Sequence, residues 1–160
     1  MSECKYSFSE AIIKIESWCA YQDRCTFEVE QKLTSWNIPL EQQFEIIKHL
    51  LSNRFLDDKR FVESFVSGKF KIKRWGKLKI KHHLIQKRID KQAIQTGLQT
   101  IDMDLYLETL KVLAQKKFLE KKTKEDIWAI KRRVCAYLAY KGYESDLIHE
   151  TVAEVIKDKE

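Results

Sequence analysis

Three segments of the chain place apolar residues at the same intervals. In residues 28–50, 79–101 and 131–156 a leucine is followed five positions later by an apolar anchor: Leu33 and Ile38, Leu84 and Ile89, Leu138 and Tyr143. Five positions beyond the anchors stand Gln43, Ile94 and Ile148, and nine beyond stand Ile47, Leu98 and Val152. Each segment reads as a helix, a tight turn at the anchor and a second helix. Turn residues flank the anchors: Asn37 and Pro39, then Asp90, then Gly142 and Ser145. Pro39 suits the first turn of a helix, and Asp90 or Ser145 suits an N-cap. Upstream of each pair lies a longer amphipathic stretch, carrying Phe61 and Phe65 in the second case and Leu105, Leu110 and Leu113 in the third. The leucines recur after 51 and then 54 residues, long enough for a module of three short helices. The pattern predicts an all-α chain of three tandem three-helix repeats, with domains at 1–55, 56–101 and 102–160.

Composition agrees with helices joined by terse turns. Four glycines and one proline in 160 residues are too few breakers for a β-sandwich of this size. A hydrophobic content of 44% with four Trp, six Tyr and eight Phe supplies a core. No apolar run approaches the roughly 18 residues of a membrane span, and the first residues lack a signal layout, so a cytoplasmic protein is expected. Cys4, Cys19, Cys25 and Cys135 form no CxxC pair, which favours four reduced thiols over a zinc site.

Charge changes the picture more than composition does. Residues 1–60 carry 8 Lys+Arg against 10 Asp+Glu, residues 61–100 carry 10 against 2, and residues 101–160 carry 12 against 12. The whole net charge of +6 therefore originates in the middle of the chain. Such a concentration of one sign is a candidate footprint for phosphates or for an acidic protein surface.

Residues 69–81, KFKIKRWGKLKIK, alternate basic and apolar positions. As strands they would put Phe70, Ile72, Leu78 and Ile80 on one face. As helix they continue into plainly helical neighbours, with Leu78, His82, Ile85 and Ile89 forming an apolar stripe and Lys73, Lys77, Lys81 and Arg88 lining the adjacent face. Two helices broken near Trp75 and Gly76 are expected, because a lone two-stranded ribbon is marginal in water.

The stretch RFLDDKRFVESFV, residues 54–66, followed by Gly76, Ile80, Leu84 and Ile89, resembles the RecX regulators of the RecA recombinase. In that family a glycine, an aromatic residue, Leu-Asp-Asp and an Arg-Phe pair open the central repeat. Here Phe55, Leu56, Asp57, Asp58, Arg60 and Phe61 match, while Arg54 stands at the usual glycine and Arg88 replaces the glycine of the later KGI-type turn. Residues 19–38 look like the first-repeat helix pair, and the third repeat agrees in spacing and polarity. The resemblance implies an elongated, curved helical protein; separately, a monomer without cofactor or membrane is expected. It also implies binding in the groove of the RecA–single-stranded-DNA filament and restraint of recombination and SOS signalling.

Independently of that likeness, the residues suit a non-catalytic binding module. The candidate contact set is Lys69, Lys71, Lys73, Arg74, Trp75, Lys77, Lys81, Lys87 and Arg88, with Arg60 added because a cation in a first helical turn opposes the dipole unless something pairs it. Single- or double-stranded DNA is a candidate partner for this basic repeat alongside the RecA filament. Asp57 or Asp58 suits the N-cap of the helix carrying Phe61. Trp18, Trp36 and Trp128 are expected in the core, and Trp75 within the basic run could stack on a base or a partner side chain. No GxxxxGK[ST], GxSxG or HExxH occurs, and His82 and His83 stand among lysines without a carboxylate. The rival reading is a helix-turn-helix DNA-binding protein, against which the second helix of the 77–98 segment offers no Arg or Lys after Lys91.

Overall fold

The computed structural model describes residues 3–120 and 126–158. Among them lie nine α-helices and no strand: α1 (Phe8–Tyr21), α2 (Thr26–Ser35), α3 (Leu40–Ser52), α4 (Asp58–Lys71), α5 (Lys77–Gln86), α6 (Lys91–Gln99), α7 (Met103–Leu119), α8 (Ile127–Lys141) and α9 (Ser145–Lys157). The alternating stretch at 69–81 is helical on both sides of a break at residues 72–76, as its neighbours required. None of these helices is long and apolar enough to cross a membrane.

The shared interval of five has one physical origin. Asn37, Arg88 and Gly142 have positive φ (57°, 55° and 95°), and the next residue donates its N–H back across the turn. Those bonds are Ile38 to the Leu33 carbonyl at 3.1 Å, Ile89 to Leu84 at 3.1 Å and Tyr143 to Leu138 at 3.2 Å. This is the Schellman ending of a helix, in which the residue after the left-handed position also packs on the one five back. All six of those side chains are buried. Arg54 (φ 58°) ends α3 in the same way, with Phe55 donating to Leu50, while after α4 the turn at Arg74 (φ 55°) is one residue wider, with Trp75 donating to Lys69. Gln43, the polar exception in the repeat, is buried but satisfied, since its Nε2 donates to the Ile38 carbonyl at 2.7 Å.

The chain folds into two compact units. The first comprises the chain up to Phe65 together with Leu84–Ala93, and the second comprises Val66–His83 with the chain from Ile94 onward. The first has a core of Ala11, Ile15, Val29, Leu33, Ile46 and Leu50, closed by Trp36. Cys19 and Cys25 are buried there too, and burial pushes their thiols up to about 11. In the second, α7, α8 and α9 pack on one another, with Tyr106, Leu110, Ala114, Val134, Leu138 and Val152 buried.

Several expectations need correction. The buried positions along α5 and its flanks are Gly76, Ile80, Leu84 and Ile89, whereas Leu78 and Ile85 are 51% and 53% exposed and His82 is exposed. On α7 Tyr106 takes the buried position and Leu105 faces outward. Trp128 is 69% exposed and no part of the core, while Trp36 is buried and Trp18 half-buried against it. Ser145 is the first residue of α9 rather than its cap, the cap position being Glu144. Asp90 does cap α6, accepting from the Gln92 and Ala93 amides.

Candidate partner-binding surface

The two aspartates of the LDD stretch have separate duties. Asp57 caps α4 by accepting from the Arg60 amide at 3.1 Å. Asp58 reaches thirty-two residues back, where its Oδ1 accepts from the Thr26 amide at 2.7 Å and the Thr26 hydroxyl at 3.1 Å. It thereby satisfies the open N-terminus of α2, whose own cap residue is a cysteine. Arg60 is paired as its position demanded: Nε donates to Asp23 Oδ1 at 2.8 Å, and the guanidinium also reaches the Arg54 and Phe55 carbonyls. The Ser64 hydroxyl and then Arg60 hold the Asp23 carboxyl below its usual value.

The candidate cations thus divide between the two units. In the first, Lys87 pairs with Glu28 at 2.6 Å and Arg88 lies over the Phe27 ring at 4.7 Å. These two and Arg60 have internal partners, and no local pattern foretells which residues those partners are. In the second, Lys71, Lys73, Arg74 and Lys81 are exposed, and none of them makes an ion pair among the described residues. Trp75 is half-buried, packed on His83 with ring centroids 4.7 Å apart, and the Lys69 and Lys79 ammonium groups lie over it at 4.8 and 4.7 Å. Lys77 sits over Tyr106 at 5.0 Å.

The start of α5 is clamped by the end of α8. The Gly76 amide donates to the Lys141 carbonyl at 2.8 Å and the Leu78 amide to the Gly142 carbonyl at 3.0 Å. Between them the Lys77 amide donates to the Tyr106 hydroxyl at 2.9 Å, and that hydroxyl donates to Glu144 Oε2 at 2.6 Å. Burial and then the Glu144 bond push the Tyr106 phenol far above its ordinary range. The approach requires two glycines. A Cβ on Gly76 would lie 2.2 Å from the Gly142 carbonyl oxygen, and one on Gly142 would lie 2.2 Å from Lys79 Cβ.

The clamp adds two cations that the contact set above omits. The Lys141 ammonium donates to the Lys73 carbonyl at 3.0 Å, and Lys79 to the Tyr140 carbonyl at 3.4 Å. Burial first, then the charges of Lys79, Lys73 and Arg74, hold the Lys141 ammonium below the usual lysine range. No group of three His, Cys, Asp or Glu among the described residues is placed to hold a metal ion.

Comparison with known proteins bears on this arrangement. The family profile described as "RecX, second three-helix domain" matches residues 57–98, and "RecX, third three-helix domain" matches residues 104–152. A "Regulatory protein RecX" of Clostridium botulinum (strain Eklund 17B / Type B) is 34% identical over 130 residues, covering 81% of this chain and 60% of the relative. One from Serratia proteamaculans (strain 568) is 29% identical over 114 residues, covering 71% of this chain and 63% of the relative. The matched part of the chain therefore spans about 60% of the length of these curated relatives. The crystal structure of RecX from Lactobacillus salivarius superimposes with a TM-score of 0.80 at 26% identity, covering 92% of this chain and 96% of that one. A second, titled "Crystal structure of regulatory protein RecX", shares the fold with a TM-score of 0.80 at 24% identity, covering 92% of this chain and 71% of that one.

Proposed function

The chain belongs to the RecX family, and from that premise we propose that it is a non-catalytic modulator of the RecA recombinase. It acts chiefly as a negative regulator, binding the RecA–single-stranded-DNA filament and restraining recombination and SOS signalling in the cytoplasm. The observation that carries the reading on this chain is the exposed basic surface of the second unit, with Lys71 at the end of α4, Lys73 and Arg74 in the turn after it and Lys81 on α5. Each such contact is modest, and a filament presents many copies of its surface, so repeated engagement multiplies the effect. We keep the three tandem three-helix repeats, 1–55, 56–101 and 102–160, as part of this proposal, with the outermost limits lying outside the described residues. Arg60, Lys87 and Arg88 contribute through what their internal partners leave exposed.

The test is RecA-catalysed ATP hydrolysis on single-stranded DNA, titrated with the chain and with a variant carrying Lys71, Lys73 and Lys81 changed to Glu. Substoichiometric, dose-dependent inhibition that the variant loses is the expected result. Unchanged hydrolysis with a folded, helical wild-type chain removes the proposal.

A further inference from the structure

We propose that Lys73, Arg74, Lys79 and Lys141 form a binding site for one phosphodiester of a single-stranded nucleic acid, with the Tyr140 ring stacking on the adjoining base. The site lies wholly within the second unit and joins the turn after α4 to the end of α8. It concerns the same surface as the proposed function, yet it is tested without RecA, so either can fail alone.

Convergence is enforced by a close backbone approach and by side-chain donors that bind main-chain carbonyls across it. The Gly76 and Gly142 backbones touch, Lys141 donates to the Lys73 carbonyl, and the Tyr143 hydroxyl donates to the Arg74 carbonyl at 3.1 Å. Four cations are thereby held together against their mutual repulsion. The nearest carboxylate on the adjoining turn, Glu144, is turned to the Tyr106 hydroxyl. The charges of Lys79, Lys73 and Arg74 weigh against that of Lys141, and a bound anion relieves that conflict.

Two further observations select the ligand. Arg74, in the turn after α4 at φ 55°, is exposed, and its guanidinium is a planar fork of donors suited to a phosphate. Tyr140 is 74% exposed, with the Lys79 ammonium 4.1 Å from its ring centroid on one side. An exposed aromatic ring beside a cationic groove is the arrangement by which proteins hold single strands without reading sequence. An acidic peptide would use the cations but would leave the ring idle.

Fluorescence anisotropy of a labelled oligothymidylate, over a salt series, tests the site in the full chain. The double variant Lys79→Gln, Lys141→Gln is expected to lower the slope of log affinity on log salt by about 0.7, the share of one phosphate contact on a single strand. Tyr140→Ala is expected to weaken binding roughly 5- to 100-fold while Tyr140→Phe retains it. Arg74→Gly should bind more weakly while melting at a higher temperature, which separates lost contact from lost fold. Lys48→Gln, on an exposed position of the first unit, should bind as wild type does. Unchanged slope and affinity in the double and Tyr140→Ala variants overturn the proposal. Retained oligothymidylate binding with lost binding to a labelled polyglutamate peptide also overturns it, and assigns the patch to acidic protein.

Discussion

Replacing Gly76 with alanine should be a severely damaging single-methyl change in the second unit. The new Cβ would lie 2.2, 2.3 and 2.4 Å from the Gly142 oxygen, the Gly142 carbon and the Tyr143 nitrogen, all of them backbone atoms with no rotamer to yield. The chain must therefore separate there by about an ångström. Two cross-chain backbone bonds, Gly76 to Lys141 and Leu78 to Gly142, then lengthen or break, at about 1 kcal/mol each. Forcing volume into a close-packed contact adds roughly 1–3 kcal/mol. The expected loss is about 3–5 kcal/mol, or on the order of 10 °C in melting temperature for a chain of this length. Gly68 is the internal control, since it lies inside α4 and a Cβ there meets nothing within 4 Å. Gly68→Ala should stabilise the protein by roughly 0.5–1 kcal/mol. Thermal and urea unfolding followed by circular dichroism reads both variants. A Gly76→Ala midpoint within a degree or two of wild type would refute the claim that backbone contact forbids a side chain there.

Three other changes follow from the same geometry. Arg54→Gly removes a left-handed arginine at φ 58°. Relief of roughly 1–2 kcal/mol, less glycine's extra chain entropy of roughly 0.5–1 kcal/mol, should raise the urea midpoint, and a lower one would count against the strain. Asp58→Ala leaves the Thr26 amide without its acceptor and should cost about 1–2 kcal/mol, with Thr26→Ala adding less in that background than alone. Asp23 has a folded-state pKa depressed from 3.8 by Ser64 and then Arg60. Its stabilising share is therefore present above that value and lost as pH falls through the lower folded one. Asp23→Asn should flatten the acid limb of a stability-against-pH curve, and an unaltered limb would deny the carboxylate that role.

What the sequence makes legible here is local, and what it conceals comes from far along the chain. The interval of five between Leu33 and Ile38, or Leu84 and Ile89, is visible because the Schellman turn itself couples those two residues. The break at Trp75 and Gly76 is visible because helical spacing resumes on either side. Which stripe of α5 turns inward is not, since Leu78, His82 and Ile85 compete on equal terms with Gly76, Ile80 and Leu84. The choice is made by the close approach of Gly142 to Gly76, a contact from another repeat. The same distance hides the pairing of Lys87 with Glu28 and of Arg60 with Asp23. Lys79 and Lys141 fall into one cluster only after the chain has folded. Trp128 reads as core by its residue type, yet its position on α8 faces solvent.

The clamp between α5 and α8 also sets a clock for synthesis. Lys141 closes on the Lys73 carbonyl across 68 residues, so the start of α5 leaves the ribosome long before the groups that receive its amides exist. At roughly 5–20 residues per second, that interval lasts on the order of 3–14 s. During it the segment that holds the chain's positive excess has unsealed backbone donors. The middle of this protein is therefore translated early and finished late, and a transcript truncated before α8 encodes a basic segment that cannot complete its own fold.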